Sequence, residues 1–123
     1  MHSIRIDPIH RLVEQRVSGM LDVAGVAESG AAVRKAVRSL DAAAGTHVTL
    51  YDLSDLLPVG DDVVASALEQ FADPRFTCVR ARKVAMVAPS ALMRLKLTGP
   101  ARSRENMALF ADRAEAMRWL FAG

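Results

Sequence analysis

The stretch Arg82-Lys83-Val84-Ala85-Met86-Val87-Ala88-Pro89-Ser90 decides how this chain folds. Val84–Ala88 is a continuous apolar run of strand length. A strand that is apolar on both faces must be covered on both faces, which is the condition of a parallel sheet in an α/β protein. Pro89 stops the strand, and Ser90 is an N-cap for a following helix. Working outward, His47–Leu53 carries VTLYDL at its centre and reads as a second such strand. Asn106–Phe110 reads as a last, shorter one. Ser3–Asp7 alternates instead, with Ile4 and Ile6 on one side and Ser3, Arg5 and Asp7 on the other, as a half-buried strand does. Arg11–Ser18 continues it, with Val13, Gln15 and Val17 on one face and Glu14 and Arg16 on the other. With Asp7-Pro8 as turn chemistry between them, the two form an antiparallel hairpin that Gly19 ends.

Helical periods fill the gaps. Asp22 caps a helix to about Ala44, with Val26, Val33, Val37, Leu40 and Ala44 on one face and Gly45 as its stop. Asp61 caps a second, with Val64, Ala67, Leu68 and Phe71 inward and Pro74 closing it. Ala91–Thr98 fits either a helix or an alternating strand; the capping Ser90 favours a short helix, which Gly99-Pro100 breaks. Asp112-Arg113-Ala114-Glu115 has the form of a capping box ahead of Ala116, Met117, Trp119 and Leu120. The order β-β-α-β-α-β-α-β-α predicts an α/β fold: a five-stranded mixed, mostly parallel sheet with an N-terminal antiparallel hairpin and about four helices.

The chain has 123 residues and reads as one domain over residues 1–123. Its 51% hydrophobic and 24% charged residues exclude a disordered chain. Aromatics make up 5%, so Ala, Val and Leu must build the core. No apolar run approaches the ~20 residues of a membrane span, and the first ten residues hold no apolar signal region, so the expected location is the cytoplasm. The net charge of +2 conceals a segregation. Asp41–Asp73 holds seven acids and no Lys or Arg; Arg75–Arg104 holds eight bases and no acid. The expectation is that the two blocks neutralise each other across neighbouring loops. Nucleic-acid binding is disfavoured, because no aromatic side chains interleave the bases for stacking.

The ordered set resembles the SpoIIAA-like family, relatives of the STAS domains that include bacterial anti-sigma-factor antagonists. Besides the hairpin, the features that carry the resemblance are Asp52-Leu53-Ser54, the Arg82–Ser90 stretch, and the tail from Phe110 through Asp112–Leu120. It spans essentially the whole chain. It implies a helix-covered mixed sheet, a non-catalytic regulatory role, and a protein partner or self-association, such as a homodimer. By its further similarity to CRAL-TRIO domains, it also raises a lipid-like ligand. One departure matters. The antagonists carry an Asp-Ser-Ser/Thr-Gly motif, with its phosphoacceptor hydroxyl, at the start of the helix after the third strand. Here that stretch reads Pro58-Val59-Gly60-Asp61-Asp62-Val63, with no hydroxyl. Two carboxylates stand there instead. They favour a helix N-terminus by ~0.3–1 kcal/mol, and they could also act as a permanent negative charge.

Chemistry-bearing patterns are otherwise scarce. Cys78 has no partner at metal or redox spacing and reads as buried filler. His2, His10 and His47 are scattered, so no metal site is expected, and neither a cofactor nor a catalytic residue is assigned. Ligand sites in open α/β sheets lie beyond the carboxyl ends of the strands. Ser54, Asp61, Asp62, Ser90 and Arg94 are therefore the candidate binding residues. For an amphipathic anionic ligand, an apolar tail would enter between the sheet and Ala91–Leu97, and Arg94 or Lys96 would meet the head. Such a ligand asks for a cavity of at least ~300 Å³.

Overall fold

The computed structural model describes residues 1–40, 45–75 and 80–122. Its elements run β1 (His2–Asp7), β2 (Leu12–Val17), α1 (Val23–Ser39), β3 (Val48–Asp52), α2 (Asp61–Ala72), β4 (Lys83–Val87), α3 (Ala91–Arg102), β5 (Met107–Phe110) and α4 (Arg113–Phe121). The sheet order is β1-β2-β3-β4-β5. The β1–β2 pair is antiparallel, and every later pair is parallel. The Val84–Val87 stretch is thus an interior strand, as its all-apolar content requires, while β3 holds the exact middle of the order.

The period of two sorts the sheet into two unequal faces. Val13, Val17, Val84 and Met86 point toward α1, α2 and α3, where they meet Val26, Val33, Val37, Val63, Met93, Leu97 and Phe71. Leu12, Val48, Leu50, Ala85 and Val87 point the other way, and only α4 covers them, through Ala116 and Leu120. Leu50, Ala85, Ala116 and Leu120 are all completely buried. Burying a leucine side chain contributes about 1.5–3 kcal/mol, so these few contacts carry that face. Because α4 lies over β3, β4 and β5, the β1–β2 end of the same face carries Arg5, Glu14 and Arg16.

The caps explain most helix starts. Asp22 accepts from Gly25 N at 2.7 Å, Ser90 from Met93 N at 3.3 Å, and Asp112 from Glu115 N at 2.8 Å. Four expectations are corrected. The N-cap of α2 is Gly60, and Asp61 is its first helical residue. Leu68 is 39% exposed, and Val63 is the buried residue of that helix. Helix α3 does not break at Gly99-Pro100 but runs to Arg102 with Pro100 inside it. The proline sits in the last turn, where its missing N–H forfeits one bond, and its ring is fully buried. Helix α1 ends at Ser39, with Leu40 as its C-cap; the remainder of its expected span, 41–44, and Cys78 lie outside the described residues.

Candidate functional site

Parallel strands share one carboxyl end, and this end forms a rim. Three loops are tied together there: Leu53 N donates to Val87 O at 2.9 Å, Gly19 N to Asp55 O at 3.0 Å, and Leu57 N to Gly19 O at 2.9 Å. The chain beyond β3 is therefore tied both to the end of β4 and to the loop beyond β2. Beneath them lie Val17, Leu56, Val59, Val63 and Ala88, all buried. On the segments that follow β2, β3 and β4, Met20, Leu57, Leu92 and Leu95 are 86%, 52%, 52% and 72% exposed.

The candidate residues divide into separate small arrangements. Ser54 folds back on Asp52: its Oγ donates to Asp52 Oδ1 at 2.6 Å and its backbone N to the same oxygen at 3.0 Å. Asp61 and Asp62 are exposed in the first turn of α2, where the helix dipole favours them. Ser90 is occupied as a cap. Arg94 turns back over the loop, with Nη1 donating to the carbonyls of Ala88 at 2.9 Å and Pro89 at 2.6 Å. Lys96 is partly exposed on α3. No hydrogen bond joins Ser54 or the two aspartates to Ser90 or Arg94 among the described residues.

The strongest polar arrangement lies beside the rim, on the open half of the α4 face. Arg113 donates to both oxygens of Glu14, Nη2 to Oε1 at 2.8 Å and Nε to Oε2 at 3.2 Å. Arg5 stands 3.4 Å from Glu14 Oε1. Arg16 Nη2 donates to Asp52 Oδ2 at 3.2 Å. Burial raises the Asp52 carboxyl, but the two hydrogen bonds from Ser54 and the charge of Arg16 outweigh it and hold the group below its ordinary range. Arg113 is held more firmly charged by its hydrogen bonds to Glu14. Three guanidiniums and Glu14 thus line one open trough, with the buried Asp52 paired to Arg16 at its edge. Strand alternation placed Glu14 and Arg16 together; the arrival of Arg113 and Asp52 depends on register and topology.

At the opposite end, where β3, β4 and β5 begin, the charge reverses. Arg11 O accepts from Val48 N, His47 O from Arg82 N and Arg80 O from Gly45 N, which gathers these segments at one end. Arg38 and Arg102 close α1 and α3 there. The acidic and basic blocks pair directly at their junction, where Arg75 forks onto Asp73 with Nη2–Oδ2 at 2.6 Å. Beyond it they separate in large part, Arg94 at the rim being an exception. Asp55, Asp61 and Asp62 sit at the rim, and Arg80, Arg82, Lys83, Arg102 and Arg104 at the base, so the expected mutual neutralisation across loops is local only.

Among the described residues no three or more His, Cys, Asp and Glu side chains gather as a metal site, and no helix is long and apolar enough to cross a membrane. An apolar cavity of about 100 Å³ lies between α1, α2, α3 and the sheet.

No protein-family model and no curated protein matches the chain. Among solved structures, it is similar to the anti-sigma factor antagonist SpoIIAA in its unphosphorylated form, with a TM-score of 0.57, 18% identity and 95% of each chain covered. With the same architecture over nearly its whole length, this chain has a SpoIIAA/STAS-like fold.

Proposed function

We propose that this chain is a non-catalytic regulatory domain that binds a protein partner, or a second copy of itself, through its rim. The observation that carries this reading is the exposure of Met20, Leu57, Leu92 and Leu95 on the segments that follow β2, β3 and β4, the same end of the sheet at which α2 starts with two exposed acids. Exposed apolar side chains rimmed by charge mark interaction surfaces. The solved structure with the same fold is named an anti-sigma factor antagonist, which favours the same class of work. The phosphoacceptor hydroxyl of such a protein is missing from Pro58–Val63; Asp61 and Asp62 would supply a constant negative charge in its place.

Partner capture from the source cell with crosslinking, alongside sedimentation of the purified chain, tests this. The Leu57→Asp/Leu92→Asp variant should lose the partner or the self-association while keeping its circular dichroism. A monomer that captures no partner, or a variant that binds as well as the parent, overturns the reading. The second reading, a lipid-like ligand beside Ala91–Leu97 with Arg94 or Lys96 at its head, has less support. Arg94 is engaged by two carbonyls, and the apolar cavity of about 100 Å³ suits a much smaller molecule.

A further inference from the structure

Two small cavities adjoin between α1, α2 and the sheet, the first beneath the rim and the second toward the basic end. The first is the apolar one of about 100 Å³, walled by Val26, Leu56, Val63, Ala67 and Leu97. Its polar lining is sparse. Gln15 is committed, with Nε2 donating to Ser29 O at 3.1 Å. The Ser29 hydroxyl also lines it, is buried on a residue 8% exposed, and has no hydrogen-bond partner. A buried hydroxyl left unmade is costly, and each such group in a native fold asks for an explanation.

The second cavity, about 70 Å³, opens toward the basic end. Arg34, Arg80 and Arg104 line it, and no acidic residue does. Neither Arg80 nor Arg104 forms an ion pair among the described residues; Arg104 has one side-chain hydrogen bond, Nε to Asn106 Oδ1 at 3.3 Å. Burial, then the neighbouring charge of Arg80, makes the Arg104 guanidinium harder to keep charged than usual. Tyr51, partly buried, lines both cavities in the field of Arg104 and Arg34, and desolvation pushes its phenol up to about 12. The cavities share Gly30, Tyr51, Gln70 and Phe71. A methyl group at Gly30 would collide with Gln70 Oε1, so the Gln70 amide lies across the seam where they meet.

We propose that these two cavities form one binding site for a short aliphatic carboxylate. The tail fills the apolar cavity past Ser29, and the carboxylate is held by Arg80 and Arg104. A guanidinium fork matches a carboxylate in plane, and an unpaired, partly buried pair of such forks gains a counter-charge on binding. Since a 150 Å³ cavity takes benzene, one of about 100 Å³ takes a tail of roughly four carbons. This site does not rest on the partner reading: its apolar compartment reaches beneath the rim, but the arginines that hold the carboxylate lie at the other end of the sheet and none of the exposed rim side chains lines it.

Amide NMR titration with pentanoate, pentanol, acetate and inorganic phosphate tests it. Pentanoate should saturate in the millimolar range or tighter, shifting Ser29, Tyr51 and Gln70, with pentanol and acetate about tenfold weaker or more. Arg104→Gln should weaken pentanoate by about tenfold and leave pentanol unchanged. Ala67→Leu, which fills the apolar compartment, should weaken pentanoate and leave acetate unchanged. Absence of saturable binding overturns the site. Equal responses to pentanoate and phosphate, or pentanoate binding indifferent to both substitutions, would show only a basic surface and overturn it equally.

Discussion

Arg113 reaches across 99 residues of chain to close a two-bond fork on Glu14, tying the first turn of α4 to the second strand of the hairpin. The Glu14 side chain is 11% exposed, and that of Arg113 is 42% exposed. Removing the arginine strands a largely buried carboxylate with only the longer contact to Arg5. Arg113→Met should therefore cost about 1–3 kcal/mol, read as a lower urea midpoint, and Glu14→Gln should cost less, since the guanidiniums it leaves unpaired are well exposed to water. Equal midpoints for parent and Arg113→Met would show the fork to be energetically idle.

Asp52 makes stability depend on acid. Its carboxyl is held below the ordinary range in the folded chain, so the unfolded chain takes up the proton first. The stabilisation is complete above the unfolded value of about 3.9 and is lost as pH falls through it toward the folded value. Asp52→Asn should flatten this acid limb in urea titrations between about pH 5 and pH 2. An unaltered limb would assign acid sensitivity to other carboxylates.

His47 acts at higher pH. The residue is 1% exposed, and neither ring nitrogen has a hydrogen-bond partner. Burial lowers its pKa, so protonation favours the unfolded chain. Stability from this group is full above about pH 6.5 and declines as pH falls below it. His47→Leu should remove that decline and leave the chain no less stable at neutral pH, because an orphaned polar ring gives way to an apolar side chain. Thermal unfolding at pH 7.5 and 5.5 reads the difference; a His47→Leu chain with the parent's slope would refute it.

Leu120 anchors the single helix on its face. It is completely buried with Ala116 against Leu50, Ala85 and Val87. Leu120→Ala should cost about 2–5 kcal/mol. Hydrogen exchange should rise first in α4, because the three helices on the other face do not hold it. Uniform loosening of the whole chain would contradict that order.

The rim carboxylates are separable from the fold. Asp61→Ala/Asp62→Ala should cost α2 no more than about 1 kcal/mol in chemical denaturation, since both groups act only through the helix dipole. The same variant should weaken partner capture well beyond that loss. Parallel losses of stability and binding would make the two acids structural.

Much of this was legible beforehand. Val84–Val87 had no polar residue to turn outward, so it had to be interior, and alternation in β1 and β2 assigned each side chain its face. Asp22, Ser90 and Asp112 announced their helices by chemistry that operates within three residues. Local rules failed where tertiary contacts decide. Pro100 stays helical because its ring is buried. Leu68 lies outward because α2 is turned by Val63 and Val64. Ser54, Ser90 and Arg94 were placed correctly at the strand ends, yet backbone and neighbouring groups occupy them. Arg80 and Arg104 come together with Tyr51 only after β3, β4 and β5 line up, and no spacing along the chain foretells that.

Asp55, Asp61 and Asp62 at one end of the strands and Arg80, Arg82, Lys83, Arg102 and Arg104 at the other give a nearly neutral molecule an electric dipole, which Arg5, Arg16, Arg94 and Arg113 near the acidic end reduce. In dilute buffer that dipole exerts a torque on any approaching charged body, so encounters are pre-aligned before surfaces touch. It also draws identical copies nose to tail, an attraction that ordinary ionic strength screens within about 10 Å. Light scattering should therefore show transient chains at low salt that dissolve on adding it, with no change in the fold.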